Sequence, residues 1–289
     1  IGELSDAFDT MAKKVRSHTH ELEERVQERT RDLEELNQSM HAARKKIEDS
    51  IDYASLIQRS ILPSRDLVNE LGQHHTVLWR PRDVVGGDFY VFRSDNQQCL
   101  FGVVDCAGHG VPGALMTMLA HAALDQAIND CGMADPAAIL ERTDQIVRNM
   151  LSDSAEYKSI ATNMDVGLAF VDLSQRRVVF SGAKMALYYS DGRSVEHVAG
   201  AKRALVDKRI GDYRNTEERT FYLCTDGFLD QAGGEQGFGF GNSRFAEMLC
   251  QHAKLPLQQQ SAAFSDTLAA YQGDYPQRDD ITMLCFRFD

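Results

Sequence analysis

The sequence predicts an α+β chain: a long N-terminal coiled-coil helix, then a domain of antiparallel sheet with helices outside it. Two observations carry this. Apolar residues keep a helical seam from Ile1 to Ile61. After Pro63 the texture changes to short apolar runs bounded by turn residues, with helical stretches set apart from them, a pattern of hairpins and covering helices and not of alternating parallel units.

The seam opens at Ile1, Leu4, Phe8, Met11, Val15 and Leu22, with the polar His18 in the series. It continues at steady sevens through Val26, Leu33, Met40, Ile47, Ala54 and Ile61, with Leu22, Leu36, Ala43 and Ile57 at the accompanying position. Leu22 and Val26 are four residues apart, a stutter that locally unwinds a left-handed coiled coil. Pro63 stops the helix, because proline cannot continue the hydrogen-bond ladder and disfavours the helical region for Leu62 before it. A stripe of this kind also suits a helix packed on its own domain. A seam this long exceeds one domain face, so a parallel homodimer through the N-terminal helices is expected.

Strands are predicted at Thr76 to Arg80, Phe89 to Phe92, Leu100 to Val104, Val166 to Val171, Val178 to Ser181, Leu187 to Tyr189, Thr220 to Cys224 and Ile281 to Phe288. The turn clusters Asp172 to Arg177 and Asp191-Gly192 read as hairpins. Helices are predicted at Pro112 to Asn129, Pro136 to Leu151, Asn242 to His252 and Leu257 to Tyr271.

The bulk numbers bound the function. A hydrophobic content of 43% over 289 residues is enough for a real core. The net charge of -12 excludes a global basic field, so nucleic acid is not an expected partner. Six scattered cysteines without a C-x-x-C pair argue against a zinc site or a secreted disulfide framework, and fit a reducing cytosol. No apolar run is long enough to span a membrane. The chain starts at Ile1 with the helical pattern in progress, and is expected to be part of something longer.

Four aspartate positions share one context. Asp88 follows Gly86-Gly87 and opens a strand, Asp105 ends one and precedes Gly108, Asp226 ends another and precedes Gly227, and Asp279-Asp280 stands just before the last. Any one of them is more often a turn residue than a functional one. Four at strand ends are harder to dismiss, because converging carboxylates repel unless a cation lies between them. Oxygen ligands without nearby His or Cys favour Mg²⁺ or Mn²⁺ over zinc.

The segments Val85-Gly86-Gly87-Asp88-Phe89-Tyr90, Val104-Asp105-Cys106-Ala107-Gly108-His109-Gly110, Cys224-Thr225-Asp226-Gly227 and Asp279-Asp280-Ile281-Thr282, in that order, resemble the motifs of PP2C-like Ser/Thr phosphatases in their SpoIIE sporulation and stress-response branch. Ile57-Gln58-Arg59-Ser60-Ile61-Leu62-Pro63 resembles the helix leading into that domain, and Ile1-Gly2-Glu3-Leu4 through Met11 resembles the second half of a HAMP signal relay. The resemblance implies three segments: the end of a HAMP-like relay over 1–21, a coiled-coil and linker helix over 22–63, and a PP2C-like phosphatase domain over 64–289. It implies an α-β-β-α sandwich with a binuclear Mg²⁺ or Mn²⁺ centre at one edge. Asp105 would bridge both ions and act through the water they share, Asp226 and Asp279 would complete one site, and Asp88 with the backbone carbonyl of Cys106 the other. Asp280 is the weaker candidate, because the family places its ligand at the first of the pair. Such metals lower the pKa of bound water and neutralise the phosphoryl charge.

The implied partner is a phosphorylated STAS-type anti-sigma-antagonist-like protein in a partner-switching circuit. The implied location is the cytoplasmic portion of an inner-membrane protein whose span lies outside this chain. Eukaryotic members carry a phosphate-holding arginine four residues before the first metal aspartate, where this chain has Val84, with Arg82 out of register. What grips the phosphate is therefore left open.

Other readings compete. Gly108-His109-Gly110-Val111-Pro112-Gly113 satisfies G-x-G-x-x-G, which raises a dinucleotide-binding oxidoreductase, but no second strand ending in an acidic residue follows at the required distance. Pro112 in a first helical turn and glycines as a tight turn suffice. Neither Cys106 nor Cys131 has the following arginine a cysteine phosphatase needs. His109 reads better as a turn or packing residue than as a general acid. A dimeric phosphatase-like interaction module without activity is the rival in another class, and retention of every aspartate position speaks against it.

Overall fold

From Glu3 to Ile61 the sequence contains neither glycine nor proline and is rich in residues that lose little freedom in a helix. In the computed structural model, which describes residues 2–151, 163–201, 211–214 and 219–288, this stretch is one continuous helix, α1 (Gly2–Ile61). Ile1, the first expected seam position, lies outside the described residues. The helix passes the Leu22–Val26 offset unbroken, because a stutter shifts the phase of a seam and not the backbone hydrogen bonding. Exposed pairs such as Arg44 with Glu48 at 2.7 Å line it, and solvent screening leaves each of them weak. The seam is uncovered, with Leu33 65% and Met40 63% exposed, so neither propensity nor ion pairs alone account for a helix this long.

Ile1–Tyr53 and Ala54–Asp289 form two compact units. The second holds the last turns of α1, followed by α2 (Ser64–Leu71), β1 (His75–Arg80), β2 (Asp88–Asp95), β3 (Gln98–Cys106), α3 (Gly110–Cys131) and α4 (Pro136–Leu151). Next come β4 (Met164–Asp172), β5 (Arg177–Ala183), β6 (Leu187–Ser190), β7 (Val195–Val198), β8 (Gly211–Arg214) and β9 (Thr220–Cys224). The chain ends with α5 (Asp226–Asp230), β10 (Ala232–Gly233), β11 (Phe238–Gly239), α6 (Gly241–His252), α7 (Leu257–Gln272) and β12 (Ile281–Arg287).

Among the described residues the strands form two five-stranded sheets, ordered β1-β12-β9-β6-β7 and β2-β3-β4-β5-β8, and a small β10-β11 ribbon. Successive side chains of a strand point to opposite faces, and here both faces are covered. In β2, Tyr90 and Phe92 enter the core between the sheets while Phe89 and Val91 meet α3 and α4. In β12, Leu284 and Phe286 face the partner sheet while Met283 and Cys285 meet α6 and α7. That is why these strands read as continuous apolar runs. Phe101 and Phe286 stack across the sheets with ring centroids 4.0 Å apart. The result is an α-β-β-α sandwich, with α3 and α4 outside one sheet and α5, α6 and α7 outside the other.

Some elements differ from expectation. Asp226 does not end a strand beside a loop; it opens the short helix α5, with the extended Thr225 before it. Helix α2 follows Pro63 directly and buries Leu67 and Leu71 against β2 and β1. Eight residues carrying two core side chains leave too little periodicity to read.

Candidate metal centre

The antiparallel register of three strands builds the first part of the site. Asp88 opens β2 opposite Asp105 of β3, and Asp105 lies opposite Asp165 of β4. Three carboxylates thus form one cross-strand row. Directly opposed like charges destabilise a sheet, so the row costs stability unless something else is gained. Asp226 at the start of α5 and Asp279 just before β12 come from the other sheet, near enough for their charges to act on Asp105.

Burial and mutual repulsion dominate the electrostatics. Asp88 is 2% exposed, and burial, then the neighbouring Asp280 carboxylate, push its pKa well above the usual range. Asp105 is pushed up to about 10, first by burial and then by Asp88, Asp226, Asp165 and Asp279. Asp226 is raised by burial, then by Asp230 and Asp279. Thr225 Oγ1 donates to Asp88 Oδ2 at 2.8 Å and receives the Thr282 N–H at 2.9 Å, which ties β9, β12 and β2 together at the site. The buried hydroxyl of Thr282 finds no partner of good geometry.

The loop before Asp88 is held from four directions. Asp280, 3% exposed, accepts the N–H groups of Arg82 at 2.7 Å and Gly87 at 2.6 Å. Thr117 of α3 donates to the Gly87 carbonyl at 2.9 Å. Gln58, fully buried on α1, donates to the Gly86 carbonyl at 2.6 Å and accepts its N–H at 3.2 Å. Trp79 Nε1 donates to the Asp88 carbonyl at 3.0 Å. Gly87 must be glycine: a Cβ there would stand 2.5 Å from the carbonyl oxygens of both Cys106 and Gly108.

The expected residues are thereby sorted. Asp88, Asp105, Asp226 and Asp279 converge, and the Cys106 carbonyl faces the loop of Gly87. Both oxygens of Asp280 accept N–H groups of the loop, whereas the exposed Asp279 accepts the Asp280 N–H on Oδ1 at 2.9 Å. Among the described residues, no three His, Cys, Asp or Glu side chains are drawn into the spacing of a closed metal site. The donor set nonetheless fits divalent cations: several hard oxygens, mutually repelled and partly buried, are relieved either by protons or by a positive ion.

The sequence reading missed Asp165, Gln58 and Lys184, whose Nζ stands 3.1 Å from Asp165 Oδ1. Ile57, expected on the seam where the helix meets the domain, is 41% exposed; Ser55 and Gln58 are the buried pair there. The rival chemistries fail on geometry. The G-x-G-x-x-G segment follows β3, but β3 pairs antiparallel with both β2 and β4, so the parallel unit of a dinucleotide fold is absent among the described residues. Cys106 is buried, and burial pushes its thiol pKa well up, which makes it a poor nucleophile. His109 Nδ1 lies 3.0 Å from Asp83 on the surface.

A family model described as stage II sporulation protein E (SpoIIE) matches residues 95–289. The SiaA-PP2C domain of Pseudomonas aeruginosa is 61% identical, with a TM-score of 0.82 over 86% of this chain and 99% of that one. The phosphoserine phosphatase RsbU of Bacillus subtilis (strain 168) is 21% identical over 257 residues, 87% of this chain and 73% of RsbU. The PP2C phosphatase domain of SpoIIE from Bacillus subtilis, solved with a fragment of its regulatory domain, shares 12% identity at a TM-score of 0.61, covering 74% of this chain and 62% of that one, and supports the fold alone.

Proposed function

Because this chain belongs to the SpoIIE family of PP2C-type Ser/Thr phosphatases, we propose that it removes phosphate from a serine or threonine of a STAS-type regulatory protein in a partner-switching circuit, using two Mg²⁺ or Mn²⁺ ions. The observation that carries the reading is the row Asp88–Asp105–Asp165 meeting Asp226 and Asp279 at one edge of the two sheets. Asp105 would contact both ions, Asp226 and Asp279 one of them, and Asp88 with the Cys106 carbonyl the other. When bound, such ions activate water and neutralise the transferring phosphoryl group. The chain's own part is to hold oxygens in place. Thr225 orients Asp88, and Asp280, Gln58 and Thr117 fix the loop that delivers it.

The partner and circuit follow from likeness to RsbU- and SiaA-type phosphatases. We further propose that residues 1–21 end a HAMP-like relay, that 22–63 form a dimerising coiled coil and linker, and that the chain is the cytoplasmic portion of an inner-membrane protein. No helix among the described residues is long and apolar enough to cross a membrane. Hydrolysis of an aryl phosphate should require added Mg²⁺ or Mn²⁺ and stop with EDTA. A folded protein with no metal-dependent turnover on either the aryl phosphate or a phosphoserine peptide would favour the inactive interaction module instead.

A further inference from the structure

A phosphomonoester is a dianion, and its approach to this site meets five carboxylates. The position where eukaryotic members carry a phosphate-holding arginine is Val84, and Arg82 and Arg278 each give part of their guanidinium to backbone carbonyls. Arg82 Nη1 donates to the Arg278 carbonyl at 3.1 Å, and Arg278 donates to the carbonyls of Asp230 and Gly237 at 3.4 and 3.3 Å.

Two cavities beside the carboxylates present a cation to such a dianion. One of about 260 Å³ is bounded by Asp226, Asp165, Lys184, Tyr188 and Asn242. A second of about 660 Å³ shares Lys184, Ala186, Tyr188 and Asn242 and extends to His197 and Ser243. Among the described residues lining either cavity, Lys184 is the only lysine or arginine.

Lys184 is also held in an unusual backbone state. Its φ of 57° lies in the left-handed region; among the described residues, the other two non-glycine residues with positive φ, Asn96 and Arg176, stand at the turns between β2 and β3 and between β4 and β5. Such a conformation is unfavourable for a residue with a side chain and persists only where its surroundings impose it. Here the Lys184 N–H donates to the Ala201 carbonyl at 2.8 Å, and Lys184 bridges to Val166 of β4. Its ammonium reaches Asp165, whose side chain is 24% exposed and which sits in register with Asp105. One carboxylate at the end of the row thus tethers a lysine whose three N–H donors are more than that bond uses.

We propose that Lys184 grips the phosphoryl group of the substrate, and that the groove from Lys184 past Tyr188 and Asn242 to His197 takes the chain segment beside the phosphorylated residue. This rests on the phosphatase reading and names a phosphate-binding group for it.

The test is calorimetric titration of inorganic phosphate onto the Mn²⁺-loaded full chain, with Mn²⁺ affinity measured in parallel. Lys184→Met should weaken phosphate about tenfold or more, the loss expected for a hydrogen bond to a charged group, while Mn²⁺ affinity stays within about twofold. Lys184→Arg should restore most of it. With a phosphoserine peptide, KM should rise more than kcat falls. Because Lys184→Met leaves Asp165 unpaired and Asp165 belongs to the carboxylate row, the double variant Asp165→Asn/Lys184→Met is compared with Asp165→Asn alone and should show the same fold loss of phosphate. Phosphate affinity unchanged in Lys184→Met and in the double variant relative to Asp165→Asn, no phosphate binding to the unmodified protein, or a parallel fall in Mn²⁺ affinity in Lys184→Met overturns the proposal. Lysine-dependent phosphate binding without turnover of any phosphoester would sustain it while rejecting the phosphatase reading, so the two failures are distinguishable.

Discussion

Asp105 concentrates the cost and the use of the site. It is opposed by Asp88 on one side and Asp165 on the other, and no other candidate is flanked in that way. Asp105→Asn should therefore lower kcat/KM by more than about a hundredfold, beyond the usual effect of losing an outer-shell partner, with the circular dichroism spectrum unchanged. Near-native Mn²⁺-dependent hydrolysis by the folded variant would remove Asp105 from the centre. The same residue sets a pH dependence. Its pKa is about 10 in the fold against about 4 in an unfolded chain. Between those values the cation-free native state binds a proton that the unfolded state releases. The stability tied to that proton is complete at low pH and is lost as pH rises toward the folded pKa. Heating scans of EDTA-treated protein from about pH 5.5 to about pH 8.5 should show Tm falling, more steeply than in Asp105→Asn or with Mn²⁺ bound. Equal slopes in all three would mean the row is not electrostatically strained.

At the scale of elements, the last turns of α1 act on the site through Gln58, whose amide both gives to and takes from Gly86 two residues before Asp88. Arg59 beside it lies over the Trp79 ring at 5.3 Å, and Trp79 holds the Asp88 carbonyl. Gln58→Leu keeps the volume and removes both bonds, leaving the buried Gly86 N–H unpaired at a cost of about 1–3 kcal/mol. We expect Mn²⁺ affinity and kcat to fall about tenfold, whereas Ile57→Ala, on the exposed side, should be nearly silent. Matching effects from the two substitutions would show that helix docking in general matters and the amide clamp does not.

For the whole chain, the uncovered seam from Phe8 to Ile47 makes dimerisation testable. Lysines in place of Leu33 and Met40 put charges where a coiled coil buries side chains, and sedimentation should report a monomer where the unmodified chain is dimeric. A dimer in both would place the interface elsewhere. The stutter between Leu22 and Val26 adds a second expectation, because a seam that changes phase has two nearly equivalent packings. Inserting four residues beside Glu28 should alter specific activity while the dimer persists. An unchanged rate in a persistent dimer would reduce the stalk to a tether.

The sequence by itself determined the long helix, its stop before Pro63, most strands and the larger helices, because heptads, turn residues and apolar runs are local signals. It also marked Asp88, Asp105, Asp226 and Asp279, each at one end of a strand-like run beside turn residues. Asp165 escaped because Met164-Asp165-Val166 has no turn beside it, and only its register opposite Asp105 gives it meaning. Lys184 escaped because a left-handed backbone at a lysine has no sequence signature. Gln58 reads as a polar break beside the seam until Gly86, 28 residues on, supplies both of its partners. Local periodicity is written along the chain; strand register, long-range hydrogen bonds and the capture of both Asp280 oxygens by the loop before Asp88 are decided only when distant segments pack, since each depends on what another segment has already occupied.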